Sequence, residues 1–305
     1  MRVFLLASGC DTAGQLAAIR AALSRERPQW RVDQMRRIAK WIDYPRQYDW
    51  RPGLARKLWA AADVVHLCQS LRPLARFGAK PCVVHHHGSE YRLPEDRARI
   101  DAACRAAGTV QVVATLDLLG SPGVEWLPAV AHLDGLAQMR AATPPHEGIV
   151  IAHSPTQPAI KGTAAIELAV ARIKAMGYPV TLDVITGVPW SECLARKARA
   201  DIFVDQLELG YGLSAVEAWG MGLPVVVGVA DQAVRRRMAD MWDALPFVEA
   251  SPDTLVDALL PLVTDATLRV YWGQRGAAHA ARFHSEAAIA ERLERLYGRA
   301  LGATA

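Results

Sequence analysis

Cysteines are few and unpaired in this 305-residue chain. Cys10, Cys68, Cys82, Cys104 and Cys193 stand singly, and no two have CxxC spacing. An odd, scattered set excludes a disulfide framework and a cysteine-built zinc cluster, and it suits a reducing compartment. Long apolar runs are missing too. Nothing approaches the ~20 apolar residues of a membrane span. The run at 3–7 is shorter than a signal-peptide core, and Asp11 follows soon after. A cytoplasmic protein with no transmembrane segment is expected. The chain also has no Gly-x4-Gly-Lys phosphate loop and no Asp-x-Asp sequence. Its composition, 51% hydrophobic and 22% charged, lies near the globular average. That excludes disordered, collagenous and coiled-coil classes. At ~100–200 residues per domain, the length suits two domains or one large one.

The net charge of +4 hides an uneven division. Residues 1–147 carry a net +6 and residues 148–305 a net −2, while the first 80 alone carry +9. Such asymmetry says more about partners than the total does.

Along the chain, Val-rich runs of strand length alternate with helical patterns. Candidate strands lie at 2–8, 30–35, 63–69, 81–87, 110–115 and 124–128, with a helix at 15–25. Several runs are apolar on both faces, as strands covered by helices on two sides are. The stretch 141–148 (AATPPHEG) reads as a linker. Beyond it a second series places strands at 149–153, 180–185, 201–205 and 224–228. Helices are read at 163–176, 190–199 and 213–221. Another opens on Ser251-Pro252 and runs to about 263, and two more span 265–282 and 286–301. Alternation of this kind implies doubly wound parallel sheets, whose ligands bind beyond the carboxyl ends of the strands.

Three segments carry chemistry. In the first, a strand ending near Asp205 leads through Gly210 and Gly212 into a helix bearing Glu217. Glycines before a helix let N–H groups approach an anion, and the helix dipole adds to the attraction. One turn in, Glu217 can accept hydrogen bonds from two vicinal hydroxyls, such as those of a ribose. The alternative is a glycine turn with a surface glutamate. In the second segment, 154–163 (SPTQPAIKGT), Lys161 lies near a helix N-terminus, where cations are disfavoured. A bound diphosphate would resolve that conflict, and a solvated lysine is the alternative. The third segment, 83–92 (VVHHHGSEYR), ends a strand. Alternation places His85 and His87 on one side and His86 on the other. Such histidines can serve as bases or substrate contacts. The rival idea, a metal site, lacks further ligands at a defined spacing.

These residues carry a resemblance. Lys161-Gly162-Thr163 after a strand, the strand-ending Asp205, and Gly210 to Pro224 with Glu217-Ala218 and Gly222-x-Pro224 resemble the C-terminal domain of GT-B glycosyltransferases. The segment is most similar to the retaining group called glycosyltransferase family 4. The glycine loop 9–14, Ala62-Asp63-Val64-Val65-His66 and His87-Gly88-Ser89 agree with its N-terminal domain. The resemblance covers nearly the whole chain and is most specific over 153–228.

It implies an α/β GT-B architecture, with two doubly wound, Rossmann-like domains facing a central cleft. The expected division is an acceptor-side domain at 1–145, a nucleotide-sugar domain at 146–283, and a helix at 284–305 crossing back to the first domain. The implied activity is transfer of a sugar from a nucleotide-sugar donor, UDP- or GDP-linked, to a hydroxyl acceptor, with no cofactor and no metal. His87 and Lys161 are the implied catalytic residues. Gly9, Lys161, Gly210, Gly212, Leu213, Ser214 and Glu217 are the implied donor contacts. Two positions depart from the family pattern. Leu209 stands where a second Glu is usual, and Thr156 where an Arg is common.

In this family the N-terminal domain receives the acceptor, and here that half is basic. Residues 41–59 interleave aromatics with cations, and Trp41, Arg46, Trp50 and Arg51, with Glu90, are the candidate acceptor contacts. Stacking aromatics and phosphate-neutralising cations suit DNA, so a hydroxymethylated base is one candidate acceptor. A lipid-linked acceptor at a membrane surface is another. The plainer alternative is that the aromatics pack on the sheet and the arginines are solvated. For the chain as a whole, two further readings stand beside transfer. One is a catalytically degenerate nucleotide- or polymer-binding module, and the other is a sugar-nucleotide epimerase of the same shape.

Overall fold

The computed structural model describes residues 1–38 and 43–302, in two units: Met1–Val130 with Ser285–Ala305, and Ala131–His284. The first unit holds a seven-stranded parallel sheet. Its elements are β1 (Arg2–Cys10), α1 (Gln15–Glu26), β2 (Arg31–Ile38), β3 (Tyr48–Asp49), α2 (Pro52–Ala61), β4 (Val64–Cys68), α3 (Arg72–Phe77), β5 (Cys82–His86), α4 (Pro94–Ala106), β6 (Val110–Val113) and β7 (Val124–Trp126). The strand order is β3-β2-β1-β4-β5-β6-β7. Alternation along β1 explains the two-sided apolar pattern. Val3, Leu5 and Ala7 join one core, while Phe4 and Leu6 join the core that packs on Leu58 and Trp59 of α2 and Cys104 of α4.

The second unit runs α5 (Leu133–Ala141), β8 (Ile149–His153), α6 (Pro158–Lys161), α7 (Thr163–Ala175), β9 (Val180–Val184), α8 (Trp190–Lys197), β10 (Ile202–Val204), α9 (Leu213–Gly220), β11 (Val225–Val227), α10 (Gln232–Met241), β12 (Val248–Glu249), α11 (Leu255–Thr264) and α12 (Ala266–His284). Its parallel sheet has the order β12-β11-β10-β8-β9. Ile202 and Val204 face a core shared with α7 and α11. On α12, Gly276 allows close approach to α9, because a Cβ there would stand 2.0 Å from Cδ1 of the buried Trp219.

The final helix, α13 (Glu286–Ala300), belongs to the first unit. Its Ile289, Leu293, Leu296 and Tyr297 form one apolar stripe and join Leu16, Ile19 and Leu23 of α1 in the same core. Ser285 caps it by accepting the Ala288 N–H, and Arg27 pairs with Glu294 at 2.7 Å.

Two boundaries differ from expectation. The first unit closes at Val130, not at 145, because α5 packs on α9. A Cβ on Gly220 would meet Leu136 at 2.7 Å and Leu133 at 3.1 Å. The helix read from Ser251-Pro252 starts at Leu255 instead. Ser251 N donates to Thr254 Oγ1 at 2.9 Å, and that turn delays the first helical residue.

Candidate functional site

In each sheet the strand order reverses once, between β1 and β4 in the first unit and between β8 and β10 in the second. Such switch points open a crevice beyond the strand ends. Of the predicted donor residues, Lys161, Gly210, Gly212, Leu213, Ser214 and Glu217 lie beyond β8 and β10, while Gly9 belongs to the first unit. His153, fully buried at the end of β8, bonds Val204 O through Nδ1 and Thr163 Oγ1 through Nε2, each at 2.9 Å. It ties both strands to the start of α7, and burial lowers its pKa.

Lys161 is the last residue of the short helix α6, and Gly162 (φ 78°) turns the chain into α7. The electrostatic conflict read from the sequence is answered within the protein. Asp205, just past β10 and 1% exposed in its side chain, accepts from Lys161 Nζ at 3.0 Å and from Gly212 N–H at 2.6 Å. Asp205 therefore occupies the Gly212 amide expected to serve a donor phosphate. The Ala215 and Val216 amides both bond Gly212 O. Leu213 and Ser214 supply the first two N–H groups of α9, which have no partner within the helix. Gly210 is held by its N–H to Gly228 O at 2.9 Å, and Ser154 Oγ donates to Ser214 Oγ at 3.2 Å.

Glu217 lies one turn into α9, and its side chain is 6% exposed. Trp190 Nε1 donates to Oε1 at 2.8 Å, and Lys197 Nζ donates to Oε2 at 2.6 Å. Each carboxylate oxygen keeps a further lone pair. Trp190 and Lys197, one residue at each end of α8, were missed from the sequence. Their seven-residue spacing on one helix face was the available signal. Leu209, in the position of the usual second Glu, forms an isolated bridge with Val229, while Glu208 and Thr156 are exposed. On the opposite face of α8 a hollow of about 330 Å³ is lined by Thr143, Pro144, His146 and Arg199, among others, and by none of the predicted residues.

In the first unit, Gly9 lies within β1, and the loop after it holds Asp11. Asp11 is buried and accepts from the Leu16 and Ala17 amides at 2.9 and 3.0 Å. Burial outweighs those bonds and the charge of Arg36, raising its pKa to about 6. Across the switch point Gln69 takes φ 65° and donates to Thr12 Oγ1 at 2.6 Å.

The histidine run alternates as read. His87, half-buried, lies on His85 with ring centroids 4.1 Å apart, and His66 follows at 5.5 Å from His85. His86, on the other side, stacks on Tyr91 at 4.2 Å. Burial, with smaller contributions from the neighbouring histidines, lowers His87 to about 3, so it is neutral at pH 7. Among the described residues no group of three or more His, Cys, Asp or Glu is arranged to hold a metal.

The acceptor residues do not form one site. Trp41 lies outside the described residues. Arg46 pairs with Asp43 at 3.2 Å and with Asp49 at 3.0 Å. Trp50 has the Arg76 and Arg37 guanidiniums 5.3 and 6.0 Å from its ring and lies 6.3 Å from Phe77. Its faces are partly covered by its own neighbours. Arg51 is exposed and precedes α2. Trp50 and Arg51 follow β3, whereas His87 and Glu90 follow β5, four strand positions away. At ~4.8 Å per strand that is roughly 19 Å.

No family model matches the chain, and no curated protein matches it in sequence. Solved structures match it over nearly its full length. An alpha-glucosyltransferase in complex with UDP and a 13-mer DNA containing a central A:G mismatch aligns at 12% identity and TM-score 0.69, covering 97% of this chain and 99% of its own. Sucrose-phosphate synthase from Thermosynechococcus elongatus aligns at 15% identity and TM-score 0.65 over 100% of both chains. Anabaena HepE in complex with UDP and glucose aligns at 12% identity and TM-score 0.64, covering 97% and 98%. The chain has the GT-B fold of these glycosyltransferases. Among the described residues no helix is long and apolar enough to cross a membrane.

Proposed function

We propose that the protein transfers a sugar from a nucleotide-sugar donor, UDP- or GDP-linked, to a hydroxyl acceptor. The observation that carries this reading is the grouping of Lys161, the first turn of α9 and Glu217 beyond the switch point of the second sheet. Glu217 accepts from the ribose hydroxyls. Lys161, which keeps two of its three N–H donors, and the Leu213 and Ser214 amides meet the diphosphate. The bond from the anomeric carbon to the diphosphate oxygen breaks, and the new bond forms to the acceptor oxygen as its proton departs. Negative charge grows on the leaving diphosphate, where preorganised donors lower the barrier. His87, uncharged at neutral pH, serves the sugar or acceptor as a hydrogen-bonding imidazole.

The acceptor is proposed to be anionic, and in the narrower form DNA bearing a hydroxymethylated base. Supporting this, Arg37, Arg51, Arg56, Lys57, Arg72 and Arg76 have no acidic partner among the described residues, and one relative of the same fold was solved with DNA. DNA binding that weakens steeply with salt supports this form, and flat or absent binding removes it.

A panel of nucleotide sugars, with hydroxymethylated DNA and simple sugars as acceptors and mass-spectrometric detection, tests the proposal. Lys161→Ala and Glu217→Ala should each depress donor use strongly, and unimpaired turnover in both variants would overturn the assignment. The Lys161–Asp205 ion pair favours a second reading, a module that binds nucleotide without turnover. Binding with neither transfer nor donor hydrolysis across the panel would select it.

A further inference from the structure

One buried charge has no role in that scheme. Lys197, the last residue of α8, has no exposed side-chain surface. Its Nζ donates to Glu217 Oε2 at 2.6 Å and to Ser214 O at 3.3 Å, and lies 4.7 Å from the centroid of the Phe203 ring. A fully buried ammonium is a poor device for stability, since an apolar side chain of similar volume often does as well or better. What the ammonium does supply is direction. Together with Trp190 it takes one acceptor position on each oxygen of Glu217, so the carboxylate has a fixed rotamer and one remaining acceptor per oxygen.

We infer that Lys197 is a positioning residue that, with Trp190, aims the two remaining acceptor positions of Glu217 at a pair of vicinal hydroxyls, and so makes the site select ribonucleotides over 2′-deoxyribonucleotides. The inference rests on the proposed nucleotide site. It adds the residue that sets sugar selectivity and the class of nucleotide the site refuses. A 2′-deoxy ligand leaves one of the two remaining acceptor positions of a buried carboxylate without a donor. The loss of a hydrogen bond to a charged group corresponds to a discrimination of about 10- to 100-fold.

The test is calorimetric binding of four ligands, UDP, 2′-deoxy-UDP, GDP and 2′-deoxy-GDP, to the full chain and to Lys197→Met and Trp190→Phe. The wild type should prefer the ribo form of its nucleotide by about 10-fold or more. In both variants that ratio should fall below about 3-fold, a readout that simple loss of packing does not move in a fixed direction. Because removing Lys197 leaves Glu217 without its cation, Lys197→Met is read alongside its melting curve. If it fails to fold, Trp190→Phe, at the half-buried start of α8, decides alone. An undiminished ratio in a folded variant overturns the inference. A wild type that binds UDP or GDP with no ribo preference overturns it while leaving the proposed function standing. A wild type that binds neither nucleotide removes both.

Discussion

Asp205 offers the sharpest physical test of the site. Its carboxylate takes the Gly212 N–H at 2.6 Å and the Lys161 ammonium at 3.0 Å, and it is 1% exposed while Lys161 is 19% exposed. Asp205→Ala removes both contacts. The amide bond to a charged acceptor is worth about 1.5–3 kcal/mol. The ion pair, partly screened on the lysine side, adds about 1 kcal/mol at most. A loss of roughly 2–4 kcal/mol is expected. For a cooperative unit of this size each kcal/mol lowers Tm by roughly 2–4 °C, so the second unit should melt roughly 4–16 °C lower. Asp205→Asn keeps an acceptor for Gly212 and loses only the charge, so its cost should be about 1–2 kcal/mol. Scanning calorimetry of the full chain reads both values. Equal melting of wild type and both variants, or a cost for Asn as large as for Ala, would refute the reasoning. In the first case Asp205 holds nothing, and in the second the amide contact contributes nothing.

Two further outcomes follow from the buried groups. His66, His86 and His87 are lowered to about 3, 4 and 3, chiefly by burial. Between those values and the unfolded value of about 6.5, the unfolded chain binds more protons, so stability rises with pH in that window and is lost as pH falls through it. Each such histidine contributes about 1.4 kcal/mol per pH unit. Asp11, raised to about 6, works in the opposite direction between about 4 and 6. Urea titrations of His66→Asn at pH 7 and pH 5 should show a shallower loss than wild type, and an unchanged slope would place the titration elsewhere. Close packing gives the second outcome. Gly276→Ala drives a Cβ into Trp219 at 2.0 Å and should cost about 1–3 kcal/mol or more. Gly53→Ala in α2 meets nothing within 4 Å and should be neutral or slightly stabilising, so equal effects in the two variants would contradict the packing argument.

Local sequence carried the sheets well wherever a strand is buried on both faces. The runs at the centre of β1, β4 and β5 are buried at successive positions and apolar except for His66, His85 and His86, a pattern that fits short strands covered on both faces. The edge strands β3 and β12, two residues each, leave no such trace because only pairing with a neighbour defines them. The stretch 141–148 reads as a linker from its prolines and glycine, yet it joins α5 to β8 inside the second unit. That allegiance is set by Leu133 and Leu136 against Gly220, a contact across more than 80 residues. The site divides in the same way. Glu217 and Lys161 stand in recognisable local patterns. The Asp205–Lys161 pair spans 44 positions, and Lys197, at the end of a polar helix, carries no local sign that the fold buries it completely.

The charge balance of this loop bears on how it would hold an anion. Two ammonium groups, Lys161 and Lys197, face two carboxylates, Asp205 and Glu217, and each cation is within 3.0 Å of its own partner. The four charges cancel before any ligand arrives. The position where an additional arginine is usual is occupied by Thr156, which is exposed and uncharged. On the proposed reading, attraction for a diphosphate therefore falls to oriented dipoles, namely the free amides of Leu213 and Ser214, the positive end of α9, and the unused protons of Lys161. Dipoles fixed in a partly buried site are screened by salt far less than exposed charges. Nucleotide binding should accordingly vary little with ionic strength, whereas contacts made by the unpaired arginines of α2 and α3 should weaken steeply. On the proposed reading the two units differ in the physics by which they would bind an anion. On that reading the loop around Lys161 and Glu217 is a neutralised cradle suited to one small ligand held in one orientation, whereas Arg51, Arg56 and Lys57, exposed in the first unit, suit a long polyanion.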